Sequence, residues 1–134
     1  MAYDNTSGAT DWSGEAAADL SSNQYNFVKL DGSGNVALCV ANSAGQKPIG
    51  VLQNKPTSGQ TALVRIIGIT KLEAGVSFDE GDLLAASDAS SLADNGQAVA
   101  ADSGDYVCGQ AIVAGAADEY ITAVINCASL ALVA

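Results

Sequence analysis

The sequence predicts an all-β domain, and three features of its 134 residues support that class. From Leu20 onward, short apolar runs alternate with turn residues at fairly regular spacing, as in small β proteins. No segment carries a helical period over ten residues. In residues 36–41, bulky and small side chains alternate with period two, which is typical of a strand with two different faces. We therefore expect one small β-barrel or sandwich of about eight or nine short strands.

The first 18 residues differ in composition from the rest of the chain. Ser, Thr, Gly, Asp and Ala dominate there, and no apolar period holds. We expect an extended N-terminal arm without a core of its own. Tyr3 and Trp12 are candidate contacts in this arm, since aromatic side chains are favoured as interface anchors. The alternative for Trp12 is that it folds back onto its own domain.

The first predicted strands, 25–30 and 36–41, are joined by a turn-rich segment, 31–35. Two glycines together with Asp31 and Asn35 tolerate positive φ, so the segment predicts a hairpin. Asp31, Ser33 and Asn35 also have the oxygen spacing of the start of a calcium loop. No glutamate closes such a loop at its twelfth position, and the turn is the preferred interpretation.

The remaining predicted strands follow at similar spacing over the rest of a domain that spans 19–127. They are 49–53, 61–67, 69–72, 83–86, 97–101, 106–113 and 120–126. Gly68 interrupts a β-branched run, which indicates a bulge or a corner where the strand changes sheet. The apolar tail, 128–134, is expected to form a final edge strand or to dock on a neighbour. Leu130 and Leu132 are therefore candidate contacts.

Arg65 is the one arginine in the chain, and it lies in the most hydrophobic predicted strand. Ordinary alternation would point its side chain outward, which is the preferred interpretation. The alternative is an ion pair across a subunit interface, because Arg suits buried bidentate pairing.

Composition excludes several classes of function. Five basic and fifteen acidic residues give a net charge of −10, which opposes binding to nucleic acid or to an anionic membrane. Histidine is absent, so the commonest general base and metal ligand are missing. The acidic group Asp79, Glu80 and Asp82 is expected to be a solvated turn rather than a catalytic or cation site. We expect no enzymatic activity and no cofactor.

The cysteines and the N-terminus indicate the compartment. Cys39, Cys108 and Cys127 are odd in number and widely spaced, which favours buried thiols in a reducing compartment. The N-terminus lacks the basic and apolar regions of a signal peptide. We expect synthesis in the cytosol.

Several segments in order resemble one protein family. The chain is similar to the capsid decoration (cement, or head-stabilising) proteins of tailed bacteriophages over about residues 19–126. The segments that carry the resemblance are 19–30, 47–56, 59–60, 64–71, 81–84 and 105–111.

The resemblance implies a small β-barrel-like or β-tulip fold and a non-enzymatic role. Such a protein would dock on the outer surface of the virion, bind the major capsid protein, form a homotrimer and bridge capsomers of the expanded shell. The main alternative is an adhesion or glycan-binding module on a phage fibre or capsid surface. A β-fold enzyme acting on nucleotides is a third class, but a phosphate-binding loop is missing.

Overall fold

The computed structural model describes residue 2 and residues 5–41, 45–87 and 93–134. Within these ranges the chain is all-β, as the sequence predicted, and its main sheet curls into a half-barrel. None of the described segments is a helix that could cross a membrane. The strands in chain order are β1 (Asn5–Glu15), β2 (Phe27–Leu30), β3 (Val36–Leu38), β4 (Gly50–Leu52), β5 (Thr61–Glu73), β6 (Leu83–Ala86), β7 (Ala98–Ala100), β8 (Tyr106–Val107), β9 (Gly109–Val113), β10 (Tyr120–Asn126) and β11 (Ala131–Leu132).

The 13-residue strand β5 organises the main sheet. The sheet runs β3-β2-β4-β5-β10-β9-β6-β7, and β1 also pairs with β5. Arg65 pairs with both β1 and β4, whereas Ile67 pairs with both β1 and β10. Because a strand has two edges, β4 and β10 follow one another along one edge and β1 occupies the other. β5 thus joins the two halves of the fold.

The core is divided in the same way. The larger cluster contains 15 buried residues, including Leu72 and Ile121, and lies mainly under the β5–β10–β9–β6 half. A smaller cluster around Val28, Leu52 and Val64 lies in the other half. Both clusters are built chiefly from Val, Ile, Leu and Ala, whose small or branched side chains fit a sheet surface.

The predicted N-terminal arm contains a long strand that the sequence pattern did not predict. Residues 5–15 form β1, which pairs antiparallel with β5 and shows register shifts near Thr10. Residues 10–13 are exposed. This strand therefore contributes backbone hydrogen bonds more than core side chains, and its sequence lacks an apolar alternation for that reason. The division into arm, domain and tail remains a prediction.

Other strands differ in smaller ways. The predicted strand 106–113 is divided at Cys108, so that β8 pairs with β11 while β9 joins the main sheet. The tail thus forms a short strand at the C-terminal end. Gly68 has a φ of +133°, and a Cβ there would lie 3.1 Å from Ala9 Cα. The predicted irregularity is present, but β5 continues through it.

A partly buried polar network connects four segments of the chain. The Gln97 amide donates to Glu73 Oε1 at 3.1 Å and to Asp118 Oδ1 at 3.0 Å. The Asn26 amide donates to the same Glu73 oxygen at 3.2 Å. Asp118 has a φ of +66°, as does Tyr25 at +67°. Asp118 belongs to the network and Tyr25 directly precedes Asn26, so the network lies beside both unusual backbone positions.

Candidate functional site

Trp12 forms the centre of an exposed apolar surface on the N-terminal half of the sheet. It lies opposite Val64 in the β1–β5 register, and its side chain is 37% exposed. With Leu30, Ile49 and Ile66 it lines an open hollow of about 210 Å³, which we call the Trp12 hollow. An exposed indole beside aliphatic side chains is the composition of an interface anchor.

Gly14 determines where the Trp12 indole can lie. A Cβ added at Gly14 would be 2.6 Å from Trp12 Cη2 and 3.0 Å from Val36 Cγ2. A glycine two residues after Trp12 on the same strand face therefore lets the indole lie flat along the sheet. Apart from the glycine itself, no sequence pattern indicated this contact.

Arg65 corrects one sequence interpretation. Its side chain is buried, with 2% exposure, rather than directed outward. Nε donates to Asp11 Oδ1 at 2.9 Å, Nη2 donates to Asp11 Oδ2 at 3.3 Å, and Nη1 donates to the carbonyl of Ile69 at 2.9 Å. The ion pair lies within one chain and joins β1 to β5. A buried guanidinium needs such partners, since an unpaired buried charge is costly.

The other candidate contacts are distributed at the ends of the chain. Leu132 on β11 is 60% exposed and lies opposite Tyr106 in the β8–β11 register. Leu130 is partly buried and packs against the larger core. Tyr3 lies outside the described residues. The structure thus brings neither leucine to the Trp12 hollow, and contact roles for all three remain predictions.

The acidic segments are turns held by their own carboxylates. Asp31 Oδ1 accepts from the backbone N–H of Ser33 at 2.7 Å and of Asn35 at 3.1 Å. Asp82 Oδ2 accepts from the backbone N–H of Asp79 at 2.9 Å. These bonds fit the turn interpretation of both segments. In the described ranges, no three His, Cys, Asp or Glu side chains gather as metal ligands.

The three cysteines are buried free thiols in the larger core. Burial raises the pKa of Cys39 to about 12. A hydrogen bond with Cys127, together with burial, raises the pKa of Cys108. A thiol with a raised pKa is a poor nucleophile, because the thiolate is the reactive form. The cysteines therefore act as small core residues.

Sequence reasoning found Trp12 but missed its partners. Leu30, Ile49 and Ile66 were each assigned only to a predicted strand. Leu30 closes β2, where its side chain is 49% exposed. The available signal was a leucine at the end of a strand, directly before a polar turn, where a large aliphatic side chain is easily exposed and can form a contact surface.

The comparisons with known proteins concern the fold. No family model matches the chain, and no curated protein matches it by sequence. Among solved structures, the head fiber gp8.5 N base of bacteriophage phi29 is similar, with a TM-score of 0.63 and 18% identity. The match covers 89% of this chain and 95% of that one. This fold occurs in phage head proteins.

A second solved structure agrees with the first. A chain in the capsid of Myoviridae phage XM1 has a TM-score of 0.61 and 17% identity, and the match covers 88% of this chain and 83% of that one. At these identities the likeness concerns the fold. At that level, the resemblance to phage capsid decoration proteins indicated by the sequence is confirmed.

Proposed function

We propose that the chain is a structural virion protein that binds the outer surface of a phage capsid. It would act as a homotrimer, bind the major capsid protein and bridge capsomers of the expanded shell. The observation that carries this proposal is the match to a phage head fiber base over 95% of that chain. The shared fold spans nearly all of both chains, so the likeness is not limited to a common sheet motif.

Charge supports the outer surface over the DNA side of the shell. The net charge of −10 would repel packaged DNA, because binding to phosphates depends on Lys and Arg. The same charge keeps unbound copies soluble until they meet a complementary surface. A position outside the head is therefore the better fit.

The Trp12 hollow is the surface that we assign to the capsid. Trp12 supplies an aromatic anchor, and Leu30 extends the apolar area beside it. The Arg65–Asp11 ion pair holds β1 in register, so the anchor is preorganised. Preorganisation lowers the entropy cost of docking.

The chemistry of the described residues supports a binding role without catalysis. Histidine is absent from the sequence, and the thiols are buried with raised pKa values at Cys39 and Cys108. The acidic turns use their carboxylates to cap backbone N–H groups. These features leave the obvious nucleophiles without an activating base.

The glycan-binding alternative receives less support. In the described ranges the exposed aromatic side chains are Trp12 and Tyr120. Trp12 lies opposite Val64, and Tyr120 lies opposite Glu73. Nine residues of β5 separate these positions, which is roughly 30 Å at the rise of a strand. The two rings therefore do not form a common platform for a sugar.

Co-sedimentation with phage shells tests the proposal. We expect saturable binding of the wild-type chain to expanded, undecorated shells and little binding to unexpanded proheads. Trp12→Ala should weaken binding at least tenfold, since aromatic anchors contribute about 2 kcal/mol or more. Tyr120→Ala, which removes the other exposed aromatic ring, is the matched control and should bind normally. Absence of binding to either shell would overturn the proposal and favour the adhesion module.

A further inference from the structure

A second exposed surface lies on the C-terminal half of the sheet. Register places Leu83, Gln110, Val124 and Ile69 side by side across β6, β9, β10 and β5. Directly paired residues point to the same face of a sheet. Leu83 is 52% exposed and Val124 is 40% exposed. We call this row the uncharged strip.

Part of the same sheet face is covered by other residues of this chain, and its apolar side chains are buried there. Ala85 lies two residues after Leu83 and therefore shares its face. It is buried with Val99 and Ala93 in a small cluster on that side of the sheet. This buried cluster does not extend to Leu83, whose side chain is exposed. The uncharged strip is thus a continuation of an apolar face beyond its intramolecular cover.

The strip borders a hollow that is also free of charged groups. The hollow measures about 260 Å³, and its lining includes Leu83, Val124, Asn126, Ser129 and Ala131. On one side the next row of this face, Asn126 and Ile67, is uncharged as well; on the other side the next row, Thr122 and Lys71, carries one positive charge. In a chain with 20 charged residues, two uncharged rows beside an apolar hollow mark a surface suited to burial.

The lack of charge in the strip makes it compatible with a second copy of this chain as the partner. Each copy carries a net charge of −10, so two copies repel one another through most of their surfaces. They can approach at the strip, whose four residues carry no charge that would have to be desolvated. A positively charged partner would not be repelled by the rest of the surface, and it could bind at the acidic turns instead.

We propose that the uncharged strip is the surface through which copies of this chain associate in solution. The inference rests on the proposed function in one respect, since that function includes an oligomer. It separates the two exposed surfaces by role: the strip binds another copy, and the Trp12 hollow binds the shell.

Sedimentation equilibrium of the full chain, without shells, tests this inference. Leu83→Asp places a charge in the strip, and we expect at least a tenfold weaker self-association. Val124→Ala provides a milder, uncharged change and should weaken association by a smaller factor. Leu30→Asp is the matched control, because it makes the same change at a leucine of similar exposure, 49%, outside the strip. It should leave the oligomer unchanged.

The outcomes separate the two proposals. A monomeric wild-type chain, or an oligomer that Leu83→Asp and Val124→Ala leave intact, overturns the inference even if the chain binds shells. Equal losses with Leu83→Asp and Leu30→Asp also overturn it, since the effect would then not be specific to the strip. Oligomers that form normally but do not bind shells support the inference and contradict the proposed function.

Discussion

At the scale of single residues, a few buried polar side chains connect several separate segments of the chain. Gln97 connects two carboxylates, those of Glu73 and Asp118, through its amide. Its Oε1 accepts from the backbone N–H of Asp94 at 2.7 Å. The bonds to Glu73 and Asp118 link segments that are distant in the chain, whereas the bond from Asp94 closes a local turn. Loss of this one side chain removes three hydrogen bonds at once, although Glu73 keeps its bond from Asn26.

We predict that Gln97→Ala lowers the free energy of unfolding by about 1–3 kcal/mol, because the three hydrogen bonds of this buried side chain are lost and each contributes about 0.5–1.5 kcal/mol. Urea denaturation measures the change. Gln110→Ala removes an exposed glutamine amide that donates to the carbonyl of Gly81, and it should change stability by less than about 0.5 kcal/mol. Equal effects of the two variants would contradict a special role for the network.

Gly14 offers a second prediction at this scale. Gly14→Ala places a methyl group where the Trp12 indole lies, so the ring must move toward solvent. Trp12 is the one tryptophan, and its fluorescence should shift to longer wavelength. Ser13→Ala, at the neighbouring position of β1, should leave the emission unchanged. Unchanged emission of the Gly14 variant would show that the indole does not depend on this glycine.

At the scale of elements, β1 depends on the strand beside it. Its exposed residues add little to the core, and one ion pair fixes its central part. Hydrogen bonds to charged groups contribute about 1.5–3 kcal/mol each when they are protected from water. Asp11 retains 28% exposure in the pair, which places its contribution toward the lower end.

We predict that Asp11→Ala increases hydrogen exchange along β1 and lowers stability by about 1.5–2 kcal/mol, because the buried Arg65 loses its carboxylate. Exchange followed by mass spectrometry resolves the strand. Exchange in β10, which pairs with the other edge of β5, should change less. Uniform changes in both strands would mean that the pair stabilises the whole domain rather than β1.

Sequence patterns predicted some elements fully and others poorly, for physical reasons. β6 and β10 have the predicted bounds, since apolar runs and flanking turns mark both ends. β1 was missed as a strand because its hydrogen bonds, rather than its side chains, define it. Arg65 was misplaced because its partner, Asp11, lies 54 residues away. Long-range pairing of this kind leaves no local pattern.

At the scale of the whole molecule, the larger core holds three buried thiols. The raised pKa of Cys39, about 12, means that the folded chain keeps a proton that the unfolded chain releases near its ordinary value of 9.0. The contribution to stability is therefore complete below pH 9 and is lost as the pH rises toward 12.

We predict that the free energy of unfolding falls between pH 9 and 12 partly through Cys39. Cys39→Ala should reduce the slope in this range by up to about 1.4 kcal/mol per pH unit, the value for one proton. Denaturation at several pH values measures both slopes. Equal slopes for the variant and the wild type would contradict the assigned pKa. Thiol reagents should also react slowly with the native chain at pH 8, and rapidly after unfolding.

The molecule has two exposed surfaces with different proposed roles. One apolar surface contains the Trp12 hollow, and the other contains the uncharged strip, while acidic turns occupy the intervening loops. An oligomer built through the strip would leave the Trp12 hollow of every copy available. Several weak contacts with one lattice then act together, and their combined affinity exceeds that of a single copy.

Cryo-electron microscopy of expanded shells, with and without this chain, tests the central claim most directly. We predict added density on the outer surface at symmetry-related positions, with β1 and Trp12 facing the shell. Shells without added density, or density on the inner surface, would contradict an outer capsid-binding protein.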